Sequence, residues 1–174
     1  MKKAFLSKIL FSVILLGLFA VSSCKKSHNS SPSGYYLKFK LDGTDKQYSL
    51  TTAFFTTQGP FYNCSMTGEN DISGTAEGMS IFLYSDAAIT ANTTYTDAEV
   101  TVDGQSTTQA TLLYADGNGK QEGSTFLFSP NVKVTITGID ASSVTGTFSG
   151  TIANTTDNSE TQVVTEGQFR LQKQ

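Results

Sequence analysis

From Tyr35 onward, apolar side chains recur at every second position. Tyr35, Leu37, Phe39 and Leu41 alternate with Tyr36, Lys38 and Lys40, and Asp42-Gly43 then supplies a turn. Tyr48, Leu50, Thr52 and Phe54 repeat the alternation, and Gly59-Pro60 separates them from a third segment, Phe61 to Met66. Met79 to Tyr84 is apolar on both faces, as a central strand is. Ala98 to Val102 is short and ends at Asp103-Gly104. Gln109 to Tyr114 runs into the loop Ala115 to Gly119, and Thr125 to Phe128 beyond it predicts the second arm of a hairpin. Val132, Val134 and Ile136 form one inward set, and Val144, Gly146, Phe148, Gly150 and Ile152 form another. The last strand places Val163, Thr165, Gly167, Phe169 and Leu171 on one face. The motifs Gly146-Thr147-Phe148 and Gly167-Gln168-Phe169 predict that these two strands pair across the Asn154 to Glu160 loop, with a ring or backbone filling the space each glycine leaves. No stretch after residue 34 has a sustained helical period. About ten strands with closely spaced turns predict an all-β domain. The expected form is an antiparallel β-sandwich, with a lipocalin-like β-barrel as the alternative.

The first residues follow a different pattern. Lys2, Lys3 and Lys8 precede the apolar run Ile9 to Val21. A membrane-spanning helix needs roughly 18 or more such residues, whereas a run of about 13 after a basic start fits a signal peptide. Val21-Ser22-Ser23-Cys24 closes it, and this resembles the lipobox of bacterial lipoproteins: a branched apolar residue, two small residues, then cysteine. The resemblance implies cleavage before Cys24 and lipidation of its thiol. Stable anchoring generally takes more than one acyl chain, which a diacylated or triacylated cysteine supplies. Lys25 to Gly34 is polar and Ser-rich, a flexible tether that contains the chain's one histidine, His28. The expected organisation is therefore a signal peptide over residues 1–23, a tether over 24–34 and a single β domain over 35–174.

The closing segment, VTITGIDASSVTGTFSGTI followed by VVTEGQFRL, resembles the C-terminal half of small lipoproteins of Bacteroidota. These share the lipobox, a polar tether, an early F-x-L-D-G strand (Phe39 to Gly43 here) and a final G-T-F-S-G-T … G-x-F hairpin. The likeness spans most of residues 21–174. It implies an all-β fold and a lipid-anchored place at the outer membrane, and it adds no catalytic residue. No Asp follows Cys24, and no acidic cluster follows it either. A periplasm-facing position is therefore expected ahead of the cell surface.

Charge narrows the partners. The sequence has 12 Lys and Arg against 15 Asp and Glu, and three of the lysines lie in the leader. The remaining basic residues are scattered, so a nucleic-acid partner is not expected. Only Cys64 remains if Cys24 is lipidated, and its alternation with Tyr62 and Met66 predicts a buried small hydrophobe. The domain has no histidine for a Ser-His-Asp triad or a zinc site, and it has no glycine loop leading into a helix. Asp116 to Lys120 reads as a turn, because a calcium loop would need an oxygen ligand where Lys120 stands. No catalytic residue, metal or cofactor is therefore expected. The adjacent aromatic pairs must send some rings away from the core. Tyr36, Phe55, Tyr62 and Tyr84 are the candidate contact residues for a protein or glycan partner. The expected role is a non-catalytic binding or structural domain. The alternatives are a small-molecule-binding barrel or an envelope hydrolase working through paired carboxylates.

Overall fold

A computed structural model describes residues 34–73, 75–127, 129–154 and 160–174. Residues 1–33, with the expected signal peptide, Cys24 and most of the tether, lie outside that set, as do Gly74, Phe128 and residues 155–159. The strands are β1 (Tyr36–Leu41), β2 (Thr44–Tyr48), β3 (Leu50–Gln58), β4 (Phe61–Glu69), β5 (Glu77–Ser85), β6 (Thr93–Thr96) and β7 (Glu99–Val102). They continue as β8 (Gln105–Thr108), β9 (Ala110–Asp116), β10 (Gln121–Gly123), β11 (Lys133–Ile139), β12 (Ser143–Asn154) and β13 (Thr161–Gln172).

Eleven strands form one antiparallel sheet in the order β2-β1-β13-β12-β10-β9-β5-β4-β3, with β11 also pairing with β12 and β6 pairing with β11. The expectation of an antiparallel all-β domain is met. The sheet curls until its ends nearly meet, in a barrel-like closure: Ala53 of β3 bridges Lys173, and Gln174 N–H donates to the Ala53 carbonyl at 3.0 Å. β12 can have two neighbours on one edge because it is long. Its first part pairs with β11 and its last residues pair with β10.

The inward alternation builds one core. Leu37, Phe39 and Leu41 meet Cys64, Met66, Met79, Ile81, Leu83, Leu112, Ile152 and Leu171 inside the sheet. Cys64 is buried as expected, and burial pushes its thiol up to about 12. Phe39 is the hub of the rings. It lies 5.7 Å from Phe148, 6.0 Å from Tyr48 and 6.3 Å from Tyr114, centroid to centroid.

β12 and β13 pair as the glycine motifs predict, and the pairing is reciprocal. Gly146 stands opposite Phe169, and Gly167 stands opposite Phe148. A side chain on Gly146 would run into the Phe169 ring and the Thr135 carbonyl, and one on Gly167 would run into Phe148. Each ring therefore lies over the opposite strand's bare backbone.

Three local readings of the sequence change. The hairpin partner of β9 is Gln121–Gly123, not Thr125 to Phe128. The chain turns at Ser124, whose hydroxyl accepts the Leu112 N–H at 2.9 Å in place of a strand carbonyl, and Ser124–Phe126 forms a 3₁₀ turn. A strand boundary falls at Ser49, so Tyr48 and Leu50 belong to different strands. In β13 the register slips, and Glu166 has a positive φ of 54°. That bulge flips the alternation, so Val164 is buried while Val163 is 47% exposed.

Gly146→Ala and Gly167→Ala are each expected to cost about 1–3 kcal/mol or more by overpacking. Phe148→Ala should cost about 3–5 kcal/mol through the cavity it leaves. Urea denaturation of the three variants measures this, and an alanine at either glycine that leaves the midpoint unchanged would contradict the packing described.

Candidate functional site

The expected aromatic contacts do not form one surface. Phe55 and Tyr62 come together, with Thr57, Ala88 and Ile89, around an open depression of about 270 Å³. Lys173 Nζ lies 5.3 Å from the centre of the Phe55 ring, and Tyr62 is 43% exposed. Tyr84 is a half-buried neighbour, set edge-on to Phe61 at 6.4 Å. Tyr36 lies elsewhere, on β1, with Lys38 Nζ 5.4 Å from its ring centre.

The strongest concentration of chemistry lies at the other end of the barrel. Strand pairing puts Lys46 across from Phe39, Glu122 across from Tyr114 and Gln162 across from Ile152, in the same inward register as the core. The alternation that sends apolar side chains inward thus sends charged ones inward at the last turn of the wall. They surround a depression of about 280 Å³ whose lining includes Leu41, Lys46, Tyr114, Lys120, Glu122 and Gln162 together with Asp42, Thr44 and Asp116. Barrel mouths are recurrent binding positions.

Two carboxylates organise this mouth. Glu77 Oε1 accepts from Lys46 Nζ at 2.6 Å, from the Tyr114 hydroxyl at 2.8 Å and from the Tyr48 hydroxyl at 3.1 Å. Glu122 is 2% exposed, and its Oε1 lies 2.9 Å from Lys120 Nζ. Lys120 Nζ also donates to Glu160 at 2.5 Å. Glu122 Oε2 is buried and has no hydrogen-bond partner among the described residues. Asp116 Oδ1 accepts the backbone N–H groups of Asn118 and Lys120, so this carboxylate fixes its own loop.

Glu77 and Asp116 are displaced downward from their ordinary values, and Lys46, Lys120, Tyr48 and Tyr114 upward. Burial pushes the Glu77 carboxyl up, but the hydrogen bonds from Lys46, Tyr114 and Tyr48 outweigh it, and the net displacement is downward. The hydrogen bond to Glu77 raises Lys46. Burial first, then the Glu77 charge, raises Tyr48, and burial with the Glu77 hydrogen bond raises Tyr114. Hydrogen bonds to Glu160 and Glu122 raise Lys120. The backbone N–H of Asn118 leads the causes that lower Asp116.

Periodicity pointed to rings and passed over the charges. The signal was present in the same pattern: Lys46, Glu77 and Glu122 occupy inward positions of their strands, where a two-residue period should place apolar side chains. Among the described residues no group of three or more His, Cys, Asp or Glu is placed to hold a metal ion. Comparison with known proteins gives no match to a family model, a curated protein or a solved structure.

Glu77→Leu leaves two tyrosine hydroxyls and an ammonium without their shared acceptor and should destabilise the domain by about 1–3 kcal/mol. Glu77 is lowered from 4.5, so its contribution is complete above pH 4.5 and is lost as pH falls through the folded-state value. Lys46 is raised from 10.5, so its contribution is complete below pH 10.5 and is lost as pH rises through its folded-state value. Melting temperature measured across pH should fall at both limits, and in Glu77→Gln the acid-side fall should be shallower.

Proposed function

We propose that the chain is a lipid-anchored envelope protein whose β domain is a non-catalytic binding module, with the charged barrel mouth as its contact site. The supporting observation is the ion-paired network at that mouth, Lys46 with Glu77 and Lys120 with Glu122 and Glu160. Glu77 and Asp116 are lowered, while Lys46, Lys120 and both tyrosines are raised. General acid–base catalysis works best with a group that titrates near the working pH, and these groups are displaced away from it. Groups with a settled charge and fixed hydrogen bonds are suited to recognition.

The chain path suits a tethered module. β1 runs from Tyr36 at one end of the barrel to Leu41 at the mouth. The Tyr35 hydroxyl donates to the Ser142 carbonyl, which also accepts from Lys173 N–H, so the chain enters the domain at the end remote from the mouth. A lipid on Cys24 would then attach through the end remote from the mouth, so the tether leaves the mouth unobstructed. The eleven residues from Cys24 to Gly34 would reach at most about 36–40 Å. The proposed setting is the outer membrane, facing the periplasm.

Cys24→Ala should move the protein from the membrane fraction to the soluble fraction, and intact mass of the wild type should show loss of residues 1–23 with added acyl chains. Unmodified full-length protein in the native membrane would overturn the anchor. The contact site is checked separately, by retention of envelope extract on the immobilised chain. Lys120→Ala should lose the retained component and Tyr62→Ala should keep it. The reverse result would move the site to the Phe55 and Tyr62 depression.

A further inference from the structure

We infer that the charged mouth takes a neutral, hydroxyl-rich ligand the size of a single sugar ring, with Glu122 Oε2 accepting a hydrogen bond from one of its hydroxyls. This rests on the mouth being a binding site and names the chemical class of what it binds.

The buried Glu122 carboxylate carries the inference. One oxygen is engaged by Lys120, and the other has no donor among the described residues, although the side chain is 2% exposed and lines the depression. A buried acceptor without a donor costs free energy; Oε2 is closed to water, so the Glu122 side chain turns toward the depression for a ligand hydroxyl to remove that cost.

The neighbouring charges select a neutral ligand. Lys46 is paired with Glu77, and Lys120 is paired with Glu122 and Glu160. An anion would have to compete with carboxylates already within 2.9 Å of each ammonium. A cation at Glu122 Oε2 would be placed beside the Lys120 ammonium and repelled by it. A hydroxyl group both donates and accepts, so it can donate a hydrogen bond to Glu122 and accept one from a lysine or from Gln162 without breaking either ion pair. Leu41 and the Tyr114 ring supply the apolar side of the depression. Its volume of about 280 Å³ is near the lower end for small-molecule sites, which limits the bound portion to about one ring.

The test is calorimetric titration of the full chain, in mild detergent, with glucose, galactose, mannose, rhamnose and N-acetylglucosamine, and with putrescine and citrate as the charged probes. At least one sugar should bind saturably. Glu122→Gln should weaken it about tenfold or more, and Tyr62→Ala at the far end should leave it unchanged. Thermal melts establish that each variant is folded. If Glu122→Gln unfolds, Gln162→Ala, on the rim, provides the same comparison. Saturable binding of putrescine or citrate in preference to every sugar overturns the inference, as does the absence of saturable binding by any sugar. Treating the envelope extract separates this failure from failure of the binding reading. Retention abolished by proteinase and untouched by periodate would leave the module standing with a protein partner. No retained component and no heat with any probe would remove both.

Discussion

The barrel depends on two phenylalanines lying over two glycines. Phe169 covers Gly146 and Phe148 covers Gly167, so β12 and β13 are locked by a reciprocal exchange rather than by hydrogen bonds alone. A glycine in a strand costs conformational entropy and contributes no side chain to the sheet. Here the cost is offset because the ring buries against backbone that any Cβ would shield. The exchange also fixes register, since a one-residue slip would place each ring on a residue with a side chain and turn the inward set outward. β12 in turn carries β10 and β11 on its other edge, and β13 carries β1. The central hairpin therefore sets the position of both halves of the sheet.

From that hairpin the aromatic contacts lead toward the mouth. Phe169 lies against Phe148, Phe148 against Phe39, and Phe39 against Tyr48 and Tyr114. The last two rings end in hydroxyls on Glu77 Oε1. The core thus changes from apolar to charged along one continuous set of contacts, and the tyrosines join the two regions because each has an apolar body and a polar tip. Lys46 reinforces the join, with its ammonium 5.8 Å from the centre of the Tyr114 ring as well as on Glu77.

Much of this was legible in the sequence, and the reasons for the remainder are specific. The two-residue period located β1, β4, β5, β11, β12 and most of β13, because each buries one face of a continuous wall. The Gly-x-Phe repeats gave the closing hairpin, since the motif itself is the contact. The phase change at Glu166 was not legible, because a bulge inserts a residue without altering composition. β10 was missed because Gln121–Gly123 has almost no apolar content, and its pairing ends where the Ser124 side chain replaces a carbonyl. The mouth was missed because a charged residue in a strand is ordinarily read as solvent-facing. Its inward direction follows from register with Phe39 and Tyr114, and register is a property of paired strands, not of one strand.

The two ends of the barrel differ in chemistry. β3 continues past its bridge to Lys173 toward Gly59-Pro60, in a stretch from Ser49 to Gly68 that contains no charged residue, and exposes Phe54 and Tyr62 there. At the other end β2, β5, β9 and β10 carry Lys46, Glu77, Tyr114 and Glu122 in inward register. Charges there keep some contact with water at Lys46 and Glu77, whose side chains are about a quarter exposed, while Glu122 is almost wholly enclosed. A buried ion pair adds little to stability compared with apolar packing of the same volume. The Glu122 pair is therefore poorly explained by folding alone. The proposed ligand hydroxyl would complete a carboxylate that the described residues leave half-satisfied.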